Sequence, residues 1–140
     1  MKTAFKIISI LLFSVMGDGY AADKIPGPSH GISYPEGWQS WATIAVSHRT
    51  DNDTMRVILG NNVAVSAARS GNTDPWPDGA ILGKVVWKDT QLKHWEAATA
   101  PGEFVHAEFM LKDSKQYKDS YGWGRARWVG LEQKPFNKGN

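Results

Sequence analysis

The chain has 140 residues, sixteen of them Lys or Arg and fourteen Asp or Glu, for a formal net charge of +2, and it contains no cysteine. That near balance excludes the strong basic field with which proteins hold nucleic acid or an anionic membrane surface. Without thiols there are no disulfides, thiolate metal sites or thioether attachments in this chain, so its core must hold by packing.

Lys2 and Lys6 precede the apolar run 7–15 (IISILLFSV), and Gly17, Gly19 and Ala21 follow it. This is the charged, apolar and small-residue order of a secretory signal, with cleavage expected after Ala21. The run is short for a bilayer span, which makes an anchor the weaker reading. Residues 1–21 are therefore read as a signal peptide and the protein as exported to the periplasm. The remaining 119 residues suffice for one domain. Residues 22–33 form a Pro- and Gly-rich extended lead-in, and 34–140 form the domain.

Within it, Thr43–Arg49 alternates as a strand should, Thr50–Asp53 turns the chain, and Met55–Gly60 returns as a second strand. Asn61 or Asn62 caps a short helix with Val63, Ala64, Ala67 and Ala68 on one face, and Gly71 ends it. A turn at Trp76–Gly79 feeds a strand over Ala80–Lys88. Thr90–Ala98 is read as a helical turn presenting Leu92 and Trp95, broken by Pro101-Gly102. Glu103–Lys112 is the next strand, Asp113–Asp119 a short helix or loop, and Tyr121–Leu131 the last strand. The predicted class is α+β, a mostly antiparallel β-sheet with a few short helices in a single domain.

Three charges stand inside apolar strands. Leu82, Lys84 and Val86 share one face of their strand; Lys84 is either an edge lysine that keeps its ammonium in water or a pocket amine. Phe104, His106, Glu108 and Met110 share a face of theirs, and Glu108 is either a salt-bridge partner or a general base. Arg56 is either a positioned pocket cation or the partner of Glu108. The four histidines, at 30, 48, 94 and 106, show no metal-ligand spacing, and no metal site is assigned. Seven tryptophans either line the pocket of a flat aromatic ligand or fill the core. Trp123, Arg125, Arg127 and Trp128 imitate a base-stacking strand, but the charge balance argues against nucleic acid.

Taken in order, YPEGWQSWATIAVSHRTDNDTMRVILGN, WPDGAILGKVVW, PGEFVHAEFMLKDSKQY and YGWGRARWVGL resemble the cytochrome P-460 and cytochrome c′-beta family, from about Tyr34 to Pro135. The resemblance implies an exported haem protein of largely antiparallel β fold, with a haem pocket on the sheet. The open iron face would take hydroxylamine, for oxidation, or nitric oxide, for binding. Lys84 after the Asp78-Gly79 turn matches the lysine joined to the haem macrocycle in the cross-linked members. Glu108, ahead of Lys112-Asp113-Ser114, matches a distal glutamate that accepts protons, and Arg56 matches an arginine that orients ligand or propionate.

The family ends in a C-x-x-C-H motif that attaches the haem and supplies the iron's histidine. Residues 133–140 (QKPFNKGN) stand about where that motif should soon follow, and the reading is of a chain truncated there. An electron-transfer partner and a homodimer are expected by family analogy. The competing reading is a haem-free or non-covalently haem-binding periplasmic β-domain acting as a binding module.

Overall fold

The computed structural model describes residue 27 and residues 32–137. The expected signal peptide and most of the lead-in lie outside the described residues. Six strands follow the chain as an antiparallel meander, each hydrogen-bonded to the next in sequence: β1 (Ala42–Arg49), β2 (Thr54–Gly60), β3 (Ile81–Leu92), β4 (Trp95–Lys112), β5 (Trp123–Val129) and β6 (Lys134–Pro135). Among the described residues, one α-helix, α1 (Asn62–Ser70), and two 3-10 turns, Trp38–Ser40 and Lys118–Ser120, complete the elements, so the fold is the mostly antiparallel sheet the sequence predicts.

Asn61 explains how the helix and β3 are joined. Its Oδ1 accepts hydrogen bonds from the backbone N–H of Ala64 (3.0 Å), as a helix cap, and of Ile81 (3.1 Å), at the start of β3. Its Nδ2 donates to the carbonyl of Gly79 (2.9 Å). Gly71 closes the helix in the left-handed region, φ 71°, with its N–H turned back onto helix carbonyls. The turn before β3 lies one residue later than predicted. Ala80 N–H bonds Pro77 O at 3.1 Å, and Gly79, at φ 86°, occupies the position that a type II turn reserves for glycine. The Asp78 carboxylate accepts from Ser114 N–H and Oγ, which pins this turn to the β4–β5 connection.

The helical turn predicted over Thr90–Ala98 is not formed. β3 instead runs on to Leu92 and returns as β4 from Trp95, and the Gln91 amide donates to the carbonyls of Trp95, Glu96 and Ala98. Pro101-Gly102 lies within β4 rather than breaking it, because the register shifts there and a bulge accommodates a residue with no N–H to give. A Cβ on Gly102 would stand 1.9 Å from Thr90 Oγ1, so the close approach of the two strands requires glycine. A second shift, between Val86 and Trp87, pairs Trp87 with Phe104. This moves Phe104 off the face of His106 and Glu108, where alternation alone put it, and its ring meets Trp87 edge-on at 6.4 Å.

The core lies on one side of the sheet. Ala107, Phe109, Ala126 and Trp128 are buried there beneath Ile32 and Tyr34, with Trp38, Trp41, Phe104 and Tyr117 packed around them. Tyr34, Trp38, Trp41 and Trp128 all approach Phe109 edge-on, with ring centroids 5.7–6.1 Å apart. Such pairs add about 0.5–1.5 kcal/mol each beyond area burial, which suits a core with no disulfide. Tryptophan therefore serves the core at 38, 41 and 128, whereas Trp95, on the β3–β4 hairpin, is largely exposed.

Candidate functional site

The opposite face of the sheet carries the charges. Register sets Ile58, Lys84, Glu108 and Arg127 side by side across β2, β3, β4 and β5. The next row is Arg56, Val86, His106 and Val129. All eight point to one side because strand side chains alternate and these positions are in step.

Lys84 is not on an edge strand, since β3 is flanked by β2 and β4. Its Nζ donates to Glu108 Oε1 at 2.9 Å, and both side chains are partly buried. The other carboxylate oxygen, Oε2, accepts from Arg127 Nε at 2.8 Å and also from the Arg127 terminal amine. The Arg127 guanidinium in turn faces the Phe136 ring, 5.4 Å from its centroid, just beyond β6. Burial disfavours the charged carboxylate and is the largest single influence on Glu108. The hydrogen bonds and charges of Lys84 and Arg127 together outweigh it and hold the carboxyl below its ordinary value. Glu108 is thus an ion-pair partner on this geometry, with both oxygens engaged.

Arg56 is not the partner of Glu108. It stands one row away, opposite Val86, and its terminal amine reaches Thr54 Oγ1 at 3.4 Å. Its Nε is buried without a hydrogen-bond partner, and among the described residues Arg56 forms no ion pair. His106 Nε2 is likewise buried and unpartnered. Burial, then the positive charges of Arg127, Lys84 and Arg56 against the opposing pull of Glu108, press the His106 imidazole down to about 4, so it is neutral at pH 7. The row pair therefore holds three cations, one anion and a neutral imidazole, an excess of two positive charges within the two rows.

Lys84, Glu108 and Arg56 are brought to one face, with Arg56 separate from the ion-paired pair. Arg127 and His106 complete the cluster, and sequence reasoning gave neither a place in the site. The signal for Arg127 lay in the alternation of YGWGRARWVGL, which sends Arg125 and Arg127 to one face. Only the β4–β5 register shows that Arg127 meets Glu108. Among the described residues no group of three His, Asp or Glu side chains gathers as a metal site would need.

A family model described as Cytochrome P460 matches residues 35–139. No curated protein matches the chain.

Proposed function

The chain belongs to the cytochrome P460 family, and from that premise we propose that it is an exported haem protein of the periplasm, with its haem on the Lys84–Glu108 face. The observation that carries this reading is the contact between Lys84 and Glu108 at the centre of the sheet, with Arg127 on the same carboxylate and Arg56 one row away. Three partly exposed cations on one face of the sheet, Lys84, Arg127 and Arg56, fit a flat group that carries carboxylates. Haem, when bound, supplies the redox-active iron that hydroxylamine oxidation or nitric oxide binding requires.

Each residue has a task on this reading. Lys84 is the contact to the macrocycle edge. Glu108 is the proton acceptor toward a small nitrogen ligand, and Arg56 orients ligand or propionate. As long as Lys84 and Arg127 both hold Glu108, its carboxylate is a weak base. Loss of the Lys84 charge would remove one of those two restraints and raise its basicity, so the lysine contact and the proton acceptor are coupled. An electron-transfer partner and a homodimer belong to the same proposal.

A second reading, a periplasmic β-domain that binds haem non-covalently or not at all, is favoured by the absence of cysteine from the 140 residues. Expression with a haem-maturation system and a visible spectrum of the purified protein separate the two. A Soret band that persists through denaturing extraction is expected for covalent attachment, and one lost on extraction indicates non-covalent binding. The haem reading fails if the purified protein has no band and added haemin neither shifts its Soret band nor co-elutes with the protein. In a haem-loaded protein, Glu108→Gln is expected to keep the Soret band and lose most hydroxylamine oxidation.

A further inference from the structure

Residues 133–136 touch both sides of the sheet from its β6 edge. Toward the aromatic core, Gln133 Oε1 accepts from the Tyr34 hydroxyl at 3.3 Å, and Gln133 Nε2 donates to the carbonyl of Gly130 at 3.0 Å. Gly130 N–H bonds Val105 O at 3.1 Å, which fixes the β5–β6 turn to β4. On the charged face, Phe136 N–H bonds Arg127 O at 2.8 Å, and the Phe136 ring centroid lies 5.4 Å from the guanidinium carbon of Arg127. Arg127 gives both Nε and a terminal amine to a single carboxylate oxygen, Glu108 Oε2, whereas Lys84 gives one donor to Oε1. The two oxygens are therefore held unequally. Oε2 is fixed by a planar guanidinium packed beside an aromatic ring, and Oε1 by one ammonium on a flexible stem. The Arg127 side chain is 38 % exposed against 16 % for Glu108, so without the ring its guanidinium could turn to water.

We propose that residues 133–136 are a latch that holds Arg127 on Glu108 Oε2 through the Phe136 ring. Arg127 is then a positioning residue: it fixes the direction of the carboxylate and leaves Oε1 as the oxygen that exchanges a proton. The role of Oε1 rests on the haem reading above, and the latch does not. On that reading Lys84 is engaged with the ligand, which releases the single donor on Oε1. A proton then passes to Oε1 from an N–H or O–H of the small nitrogen compound. That bond breaks, an O–H bond forms on the carboxyl, and the electron pair stays with the nitrogen compound. Glu108 keeps its direction during the exchange because Arg127 retains Oε2. With the latch undone, the guanidinium compensates the carboxylate less well, and the carboxyl holds its proton more tightly.

The test uses the full chain without added haem, with the side-chain carboxyl carbons of glutamate isotope-labelled, and follows Glu108 by NMR as the pH is varied. Glu108→Gln identifies the signal by its loss. Arg127→Gln is expected to raise the Glu108 titration midpoint by at least about one pH unit, the size of one charged hydrogen bond. Phe136→Leu should raise it by about half a unit, the size of one cation–π contact. Phe136→Tyr restores the ring and should return the midpoint to that of the unaltered chain. A purely structural role for Phe136 would lower stability in Phe136→Leu and leave the midpoint where it was. Phe136 is 39 % exposed, so neither substitution there empties the core.

If Arg127→Gln moves the midpoint and Phe136→Leu does not, the latch is overturned. An unmoved midpoint in Arg127→Gln overturns the positioning role as well. In haem-loaded protein, the acid limb of hydroxylamine oxidation in Phe136→Leu should rise by the same interval as the midpoint, with KM unchanged. A limb that stays in place while the carboxyl moves overturns the role of Oε1. Because the carboxyl is read without haem, failure of haemin to bind overturns the haem reading and the role of Oε1 together, while the titration alone decides the latch.

Discussion

The two faces of the sheet are made by alternate residues of the same strands, and they are finished in opposite ways. On one, Phe109, Trp128, Val85 and Ala107 are buried almost completely, under a lid of Tyr34, Trp38 and Trp41. On the other, Lys84, Glu108, Arg127, Arg56 and His106 are partly exposed, and two of their nitrogens lack partners. The first face is closed by interlocking aromatic rings and leaves nothing further to satisfy. The second holds one carboxylate shared by two cations, with a third cation, Arg56, one row away. Aromatic packing and charge are thus separated by the pleat, at a thickness of one strand.

That separation can be broken most sharply from the aromatic side. Phe109→Ala removes the ring that four other aromatic side chains approach, and a loss of about 3–5 kcal/mol in unfolding free energy is expected, read from the urea midpoint. The charged face should respond less. Glu108→Gln leaves Lys84 and Arg127 without their common anion and should cost about 1–3 kcal/mol. Lys84→Met should cost less than Glu108→Gln, because Arg127 still serves the carboxylate. A double-mutant cycle over Lys84 and Arg127 measures how far the two share it. Equal costs for Glu108→Gln and Lys84→Met would count against the three-residue arrangement.

Acid provides a third and smaller probe. The His106 imidazole titrates at about 4 in the folded chain against an ordinary 6.5, so the unfolded chain takes up the proton first. Its contribution is complete above pH 6.5 and is lost as the pH falls from there through about 4. The Glu108 carboxyl is held below its ordinary value, so its contribution is also lost on acidification, as the pH falls through its folded value. A His106→Gln variant should flatten the stability profile between pH 6.5 and 4 by about 1–2 kcal/mol, with solvent screening at a half-buried ring allowed for. An unchanged profile would mean that the imidazole is not held neutral. The smallest effect is expected at Trp95, which is 66 % exposed on the β3–β4 hairpin. Trp95→Ser should change stability by less than about 0.5 kcal/mol, which places that hairpin outside the contrast between the two faces.

Much of this was legible beforehand, and the particular residues show why. The strand at 43–49, the helix between Asn61 and Gly71, and the shared face of His106 and Glu108 follow from local periodicity and from capping chemistry, which depend only on near neighbours in sequence. The hairpin over 87–104 was misread because Pro101 and Gly102 look like a break until a bulge is available to absorb them. A separate register shift, between Val86 and Trp87, carried Phe104 from the charged face to the aromatic one. Arg127 was invisible as a site residue because nothing local to it marks a partner nineteen positions away.

By itself, then, the sequence determined that this is an antiparallel sheet with charges embedded in its strands, and it identified Lys84, Glu108 and Arg56 as the residues to watch. The tertiary structure decided which cation meets Glu108. A period of two assigns each side chain to a face, but it says nothing of the sliding of one strand along another. That register is set by the cooperative pairing of whole strands, by their bulges and by the turn that Asn61 and Asp78 hold in place. Register gave Glu108 to Lys84 and Arg127, and it set Arg56 and His106 one row away, each with a buried nitrogen that has no hydrogen-bond partner.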